Sequence, residues 1–172
     1  TLFSDTATSV SGVWSSFFVT VSGLSSNASG TADRQNMLDS AGNLVSRFKQ
    51  LNENLNNLNQ EVNNGLIAGA SEVNRLAAEI AQINGAIGSN ANNAAPDLLD
   101  RRDQLIANLI GYTGGTAVMQ DGGFMNVYTA GGQALVVGTS ATKVTTVTDP
   151  YQPERLQLAL ETQGQRITQG PE

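Results

Sequence analysis

Apolar residues recur at spacings of three and four from Ser11 onward, as Trp14, Phe17, Val21 and Leu24. That spacing predicts one amphipathic helix about four turns long. Ser9 or Ser11 is placed to cap it, because a serine oxygen accepts from the free N–H groups of a first turn. Residues Thr1 to about Val10 are Ser/Thr-rich and read as an entry loop or truncated connection. Ser25-Ser26-Asn27-Ala28-Ser29-Gly30 breaks the pattern and predicts a turn. A second stripe then runs Leu44, Phe48, Leu51, Leu55, Leu58, Val62 and resumes as Gly69, Val73, Leu76, Ile80, Ile83, Ile87. Its alternating steps form a heptad seam. The partners of the Phe48–Leu55–Val62–Gly69–Leu76–Ile83 line change side near Gly65 to Gly69. That is a stutter, where local unwinding is expected. A continuous helix from Thr31 to Ile87 would be roughly 80 Å long and predicts a rod. A break into two helices is the alternative.

The polar flank of this segment holds Asn52, Asn54, Asn56, Asn57, Asn59, Asn63 and Asn64. Asn is a mediocre helix former. The flank reads as a solvated face or as a hydrated contact surface for neighbouring subunits. Gly88 to Ala95 reads as a loop. A third helix opens at Pro96-Asp97, with Leu98, Leu99, Leu105, Ile106, Leu109 and Ile110 as its apolar side. Asp97 is a candidate N-cap and a candidate partner for Arg101, and Gly111 a candidate stop. Short loops predict antiparallel helix neighbours. An Asp for Leu55 or Leu76 is expected to bury an unpaired charge in the seam.

Beyond Gly111 the period becomes two. Strands are expected over 116–120, 124–129, 134–137 and 143–147, with turns at Asp121-Gly122-Gly123 and Ala130-Gly131-Gly132. Asp149-Pro150 and Pro153 interrupt this β-meander. Leu156, Leu158 and Leu160 alternate as a possible further strand, and the tail from Thr162 shows no clear pattern. The expected class is α+β: an elongated antiparallel helical bundle with one very long coiled-coil-like helix, then a β-meander and hairpin region. The expected divisions are an entry loop over 1–10, a rod-like helical domain with its hairpins over 11–147, and a further β region or disordered tail over 148–172.

Composition narrows the chemistry. The chain has 172 residues, 9 Lys plus Arg against 15 Asp plus Glu, and a formal net charge of −6. That balance disfavours nucleic acid, which needs a basic footprint, and an electrostatic membrane anchor. With no Cys and no His, thiolate and serine–histidine catalysis, disulfides and the usual zinc sites are excluded. No apolar run approaches the roughly 20 residues of a membrane helix, and no signal peptide is legible. Asp97, Asp100 and Asp103 share a helix face, but Arg101 and Arg102 sit among them, so capping and surface pairing explain them better than a metal. Gly111 to Thr116 lacks the ending of a phosphate loop and reads as a linker. Asp121-Gly122-Gly123 lacks the other acids of a calcium loop. Trp14, Phe17 and Phe18 read as core, with a docking patch as the alternative. Tyr128 and Tyr151 are too isolated for a base-stacking platform. No catalytic, cofactor-binding or metal residue is assigned, and no cofactor is expected.

Several runs occur in a telling order. Phe17-Phe18 leads to Leu24-Ser25-Ser26-Asn27 and Ala32-Asp33-Arg34-Gln35, and the long helix runs from Leu44 to Ile83. Then come Asp97-Leu98-Leu99-Asp100-Arg101-Arg102-Asp103-Gln104-Leu105, Gly123 to Tyr128, and Gly132-Gln133-Ala134-Leu135-Val136-Val137-Gly138. This series resembles the flagellar hook-associated protein 1 family over most of residues 13 to 160. The resemblance implies an internal fragment, because nothing here matches the family's terminal helical segments. It implies a structural adaptor, not an enzyme, at the hook–filament junction of the bacterial flagellum. The location would be extracellular, reached through the flagellar type III export apparatus. Its partners would be other copies of itself and neighbouring hook and hook-associated proteins, with the fragment alone monomeric.

Two rivals stand beside that reading. One is a coiled-coil stalk segment of a surface adhesin or tail fibre, which predicts a stable parallel homo-oligomer. The other is a glycosidase-like enzyme in which distant acids such as Glu79 and Asp121 meet.

Overall fold

The computed structural model describes residues 9–89, 95–162 and 165–168. The chain divides into two compact units, Thr1–Gln60 and Glu61–Glu172. Helices α1 (Val10–Ser26), α2 (Thr31–Gly88) and α3 (Pro96–Thr113) precede the strands. Thus α2 is one unbroken helix of 58 residues. The expected unwinding at Gly65 to Gly69 does not occur. A Cβ at either glycine would meet nothing within 4 Å, so neither is demanded sterically.

In the Thr1–Gln60 unit, α1 and the start of α2 form an antiparallel hairpin. Ser9 caps α1, its Oγ accepting from the Gly12 N–H at 3.1 Å. The turn closes through the Gly30 N–H to the Asn27 carbonyl at 3.0 Å, and Arg34 donates twice to the Ala28 carbonyl. Thr20 and Ser40 hydroxyls meet at 2.6 Å, and Trp14 packs edge-on against Phe48 at 6.3 Å between centroids. Since Trp14 stands opposite Phe48, the described turns of α1 end near that level. Leu55 and Leu58 of the seam lie beyond it and are more than half exposed. Trp14 and Phe18, expected in the core, are also half exposed.

The Glu61–Glu172 unit holds the core. Val73, Leu76, Ile80, Ile83 and Ile87 of α2 are buried with Leu105, Ile106 and Leu109 of α3 and with Val127, Leu135, Val136, Val144 and Leu160 of the strands. Full burial of one such side chain stabilises by about 1.5–3 kcal/mol. Three expectations for α3 are corrected. Ala95, not Asp97, is the N-cap, without a side-chain bond, and Pro96 supplies the first turn. The helix runs through Gly111 and stops at Gly114, whose φ of 63° suits a residue without Cβ. Arg101 pairs with Glu79 of α2 instead of Asp97. Gly115 is required by close approach: a Cβ there would lie 1.8 Å from the Tyr128 carbonyl oxygen.

The strands are β1 (Thr116–Met119), β2 (Met125–Tyr128), β3 (Ala134–Val137), β4 (Ser140–Ala141), β5 (Lys143–Thr148), β6 (Leu156–Thr162) and β7 (Gln165–Thr168). They form two antiparallel sheets, β1-β2-β3-β4 and β5-β6-β7, where one meander was expected. The chain passes from one sheet to the other at Thr142, whose N–H returns to the Leu135 carbonyl at 2.8 Å. Asp121–Gly123 makes the expected β1–β2 turn with Gly122 and Gly123 both at φ 81°. The strand expected at Leu156 to Leu160 is β6, and β4 and β7 had no legible pattern. Of the entry loop expected over 1–10, Val10 already belongs to α1, and residues 1–8, like 90–94, 163–164 and 169–172, lie outside the described residues.

The two halves of the seam therefore respond differently to charge. Leu76 is 1% exposed and Leu55 is 59% exposed. Leu76→Asp is expected to cost more than about 4 kcal/mol, enough to abolish the cooperative melt of this chain. Leu55→Asp is expected to stay within about 1 kcal/mol of the parent. Denaturant titration of the two variants checks both, and equal losses would contradict the burial difference.

Candidate functional site

The polar groups with the most structural consequence lie on α2 and face the sheets. The Asn84 side chain is fully buried. Its Nδ2 donates to the carbonyls of Met125 (2.8 Å) and Gly138 (2.7 Å), and its Oδ1 accepts from the Met125 N–H at 3.1 Å. Gly138 N–H donates to Asn126 Oδ1 at 2.8 Å, so two amides complete the pairing where β3 ends. One segment back along the helix, Asn74 Nδ2 donates to the Val144 carbonyl and its Oδ1 accepts from the Val144 N–H, both at 2.7 Å. Further back, Asn63 Nδ2 donates to the Glu154 carbonyl at 2.8 Å and its Oδ1 accepts from the Leu156 N–H at 2.9 Å. A carboxamide carries the same donor and acceptor as a peptide group, so each acts as a surrogate strand partner. β5 is an edge strand, and Asn74 occupies pairing groups that would otherwise be open.

Arg102 performs a similar task from α3. It is 4% exposed, and its Nη1 donates to the Gly123 carbonyl at 2.6 Å, pinning the β1–β2 turn. Surface pairing had been expected for it. Arg102 sits four residues after Leu98 and three before Leu105, on the apolar stripe, so its burial was legible from spacing. The same holds for Asn84, between Ile80 and Ile87. Of the Asn-rich stretch, Asn63 is the member that docks a strand.

The acidic residues take structural partners. Arg75 bridges Glu72 (2.6 Å) and Glu79 (2.9 Å), and Arg101 of α3 also pairs with Glu79. The Arg101 hydrogen bond chiefly holds the Glu79 carboxyl below the ordinary carboxylate range, and the Arg75 hydrogen bond does the same for Glu72. A carboxyl held ionised in this way is poorly suited to the general-acid role of a glycosidase. Asp121 is exposed in its turn. Asp149 accepts from the N–H groups of Tyr151 (2.8 Å) and Gln152 (3.1 Å), which lower its pKa, and it closes the loop before β6. Tyr151 itself is 92% exposed. An apolar recess of about 320 Å³ opens beside Gly65, Gly69 and Val73, and Tyr112 is the only titratable group lining it. Among the described residues, no group of three or more acids is placed to hold a metal. No described helix is long and apolar enough to cross a membrane.

These features define a class: an α+β structural protein with a helical hairpin in its Thr1–Gln60 unit and, in its Glu61–Glu172 unit, two antiparallel sheets docked on helices. A family model for the helical domain of the flagellar hook-associated protein FlgK matches residues 1–171. The chain belongs to that family. It is 35% identical over 162 residues to flagellar hook-associated protein 1 of Salmonella typhimurium, covering 92% of this chain and 29% of that protein. It is 33% identical over 147 residues to the Escherichia coli K12 protein of the same name, covering 83% and 27%. The structure of the flagellar hook junction protein FlgK from Burkholderia pseudomallei matches with a TM-score of 0.81 at 28% identity, over 88% of this chain and 27% of that one. The chain spans less than a third of the length of these relatives.

Two outcomes are expected. Asn84→Asp keeps the acceptor for Met125 N–H but faces a carboxylate to two carbonyl oxygens, which is expected to cost more than about 3 kcal/mol at pH 7. Burial raises the pKa of the introduced acid. The deficit relative to the parent is therefore least at low pH and grows as pH rises through the raised value. Denaturant melts across pH check this. In the parent, Glu72, Glu79 and Asp149 have lowered folded pKa values, so their stabilisation is complete above the ordinary carboxylate range and is lost as pH falls below it. Glu79→Gln is expected to melt below the parent at neutral pH and to converge with it in acid, as followed by circular dichroism.

Proposed function

We propose that this chain is the helical domain of a structural adaptor subunit at the junction between flagellar hook and filament. The family match over residues 1–171 supports this reading. The structural observation that carries it is the apolar face left on the Thr1–Gln60 unit by Trp14, Phe18, Phe48, Leu55 and Leu58, each about half exposed or more. Large apolar side chains exposed on one unit mark a surface that other chains or other segments cover in an assembly. The partners on this reading are further copies of the subunit and neighbouring hook and hook-associated proteins. The site is extracellular, with export through the flagellar type III apparatus. The domain contributes stiffness and contact surface and performs no catalysis. Its polar faces let neighbours repack as the flagellum turns.

The adhesin or tail-fibre stalk is less well supported. In the described part of the Thr1–Gln60 unit, α2 pairs with α1 of its own chain in antiparallel fashion, as the Thr20–Ser40 and Trp14–Phe48 contacts record. A parallel homo-oligomeric stalk needs that seam for other copies.

The decisive experiment places the full-length protein containing this segment in a flagellated species whose own hook-associated protein 1 has been deleted, so that its hooks carry no filaments. Restored filament growth from hook tips, with the labelled protein at the junction, is expected. Export without restored filaments, or labelling elsewhere on the cell, would overturn the assignment. Light scattering of the chain alone is expected to give a monomer, and a stable parallel oligomer would favour the stalk.

A further inference from the structure

We propose that Asn84, in the pair Asn84-Gly85, is a spontaneous modification site that the native fold holds closed, and that its conversion to an acid blocks refolding irreversibly. The chain contains two Asn-Gly pairs, Asn64-Gly65 and Asn84-Gly85, both in α2. Glycine after asparagine leaves the following backbone nitrogen without a side chain to shield it. In an open chain that nitrogen attacks the asparagine Cγ. The N–Cγ bond forms and the Cγ–Nδ2 bond breaks. The proton lost by the glycine nitrogen departs with Nδ2 as ammonia, and a succinimide ring remains. Water then adds to either ring carbonyl. The product is an aspartate, or an isoaspartate whose backbone runs through the side-chain carbon. Water is the sole co-reactant, and nothing is oxidised or reduced.

The two pairs share a dipeptide and a helix but not an environment. Asn84 is fully buried. Its Nδ2, the atom that must leave, donates to the Met125 and Gly138 carbonyls, and its Oδ1 accepts from the Met125 N–H. Gly85 lies inside α2, where its N–H belongs to the helical ladder and helical dihedrals keep its nitrogen off the preceding side chain. Ring closure at Asn84 therefore requires the amide to leave the strands and the helix to open among Ile80, Ile83 and Ile87, within the core. Such an opening approaches unfolding of the whole Glu61–Glu172 unit. Asn64 is exposed, so a local opening of the helix suffices there. Conversion of Asn84 also destroys the contacts that protect it. An aspartate at that position sets a carboxylate against two carbonyl oxygens, and an isoaspartate inserts an extra methylene into the backbone of α2. Either product leaves the Met125 and Gly138 carbonyls without their donor. A chain that opens and converts does not return to the native state.

The test uses the whole chain, aged side by side in native buffer and in guanidinium chloride at one pH and temperature. Trypsin cuts after Lys49, Arg75 and Arg101, so the two pairs fall in separate peptides, 50–75 and 76–101, and fragment masses locate each conversion. In denaturant both asparagines are expected to convert at comparable rates. In native buffer the rate at Asn84 is expected to fall by at least about a hundredfold, and at least about tenfold further than the rate at Asn64. A fall at Asn84 no larger than that at Asn64 would assign the protection to the helix alone and overturn the proposal. The block on refolding is read with alanine variants, whose methyl group hinders ring closure and whose helix propensity exceeds that of glycine. A Cβ at Gly65 would meet nothing within 4 Å, and one at Gly85 would lie 3.5 Å from Thr139 Cγ2, an ordinary contact, so both positions accept it. Gly65→Ala alone, and Gly65→Ala with Gly85→Ala, are aged in denaturant and then refolded by dilution. The single variant is expected to lose native circular dichroism in step with conversion at Asn84, with converted chains depleted from the native fraction on size exclusion. The double variant is expected to keep its refolding yield. Equal losses in the two variants, or converted chains in the native fraction in proportion to their share of the total, would overturn the proposal.

Discussion

A carboxamide from a helix, set between two strands where a peptide group would otherwise stand, organises the Glu61–Glu172 unit. Asn84 satisfies three backbone groups at once, deep in a core that is otherwise aliphatic. The strands of the first sheet are two to four residues long. Strands that short hold little structure by themselves and need a packed face. α2 provides that face through Ile80, Ile83 and Ile87, but aliphatic contact is non-directional. Direction comes from the amides, and Arg102 adds a fixed point at the Gly123 carbonyl from the opposite helix.

The same helix behaves differently along its length. From Ala70 to Ile87 it is covered by α3 and the strands, and its seam is buried. In the Thr1–Gln60 unit, α1 shields it only as far as the level of Phe48, and Leu55 and Leu58 stay exposed. One periodic line thus spans two environments, one buried by α3 and the strands and one left exposed. The charged groups fit the same picture. Glu72, Arg75, Glu79 and Arg101 knit the outer faces of α2 and α3 together, and their lowered carboxyl pKa values reflect that pairing.

Much of this was legible in one dimension. The 3.6-residue period placed the helices, and the change to a period of two after Gly111 placed β1, β2, β3, β5 and β6, because side-chain alternation is a local property of the backbone. The Ser9 cap and the glycine turn at Asp121 to Gly123 were equally local. The motif around Asp97 to Leu105 pointed to the right family and to ion pairing, yet Arg101 takes a different partner and the burial of Arg102 on the Gly123 carbonyl was missed. Asp97 and Arg101 satisfy the spacing of a helix-surface pair, but Glu79 on a neighbouring helix competes for the same guanidinium, and no intrahelical rule anticipates it. Asn74 and Asn84 passed unnoticed because a polar residue within an apolar stripe is ambiguous until its partner is known.

The sequence by itself determined which segments are helical and where the chain turns, and it left open whether the long helix continues through Gly65 to Gly69, which the fold settles as one helix of 58 residues. Those outcomes follow from hydrophobic period, capping and backbone freedom, which act over a few residues. The tertiary structure decided the split into two sheets, the burial of Leu76 and exposure of Leu55 on one periodic line, and the docking of three amides on strand backbones up to 93 residues away. Periodicity says which residues share a face, while burial depends on whether another element reaches that face. Only the folded chain brings those elements together.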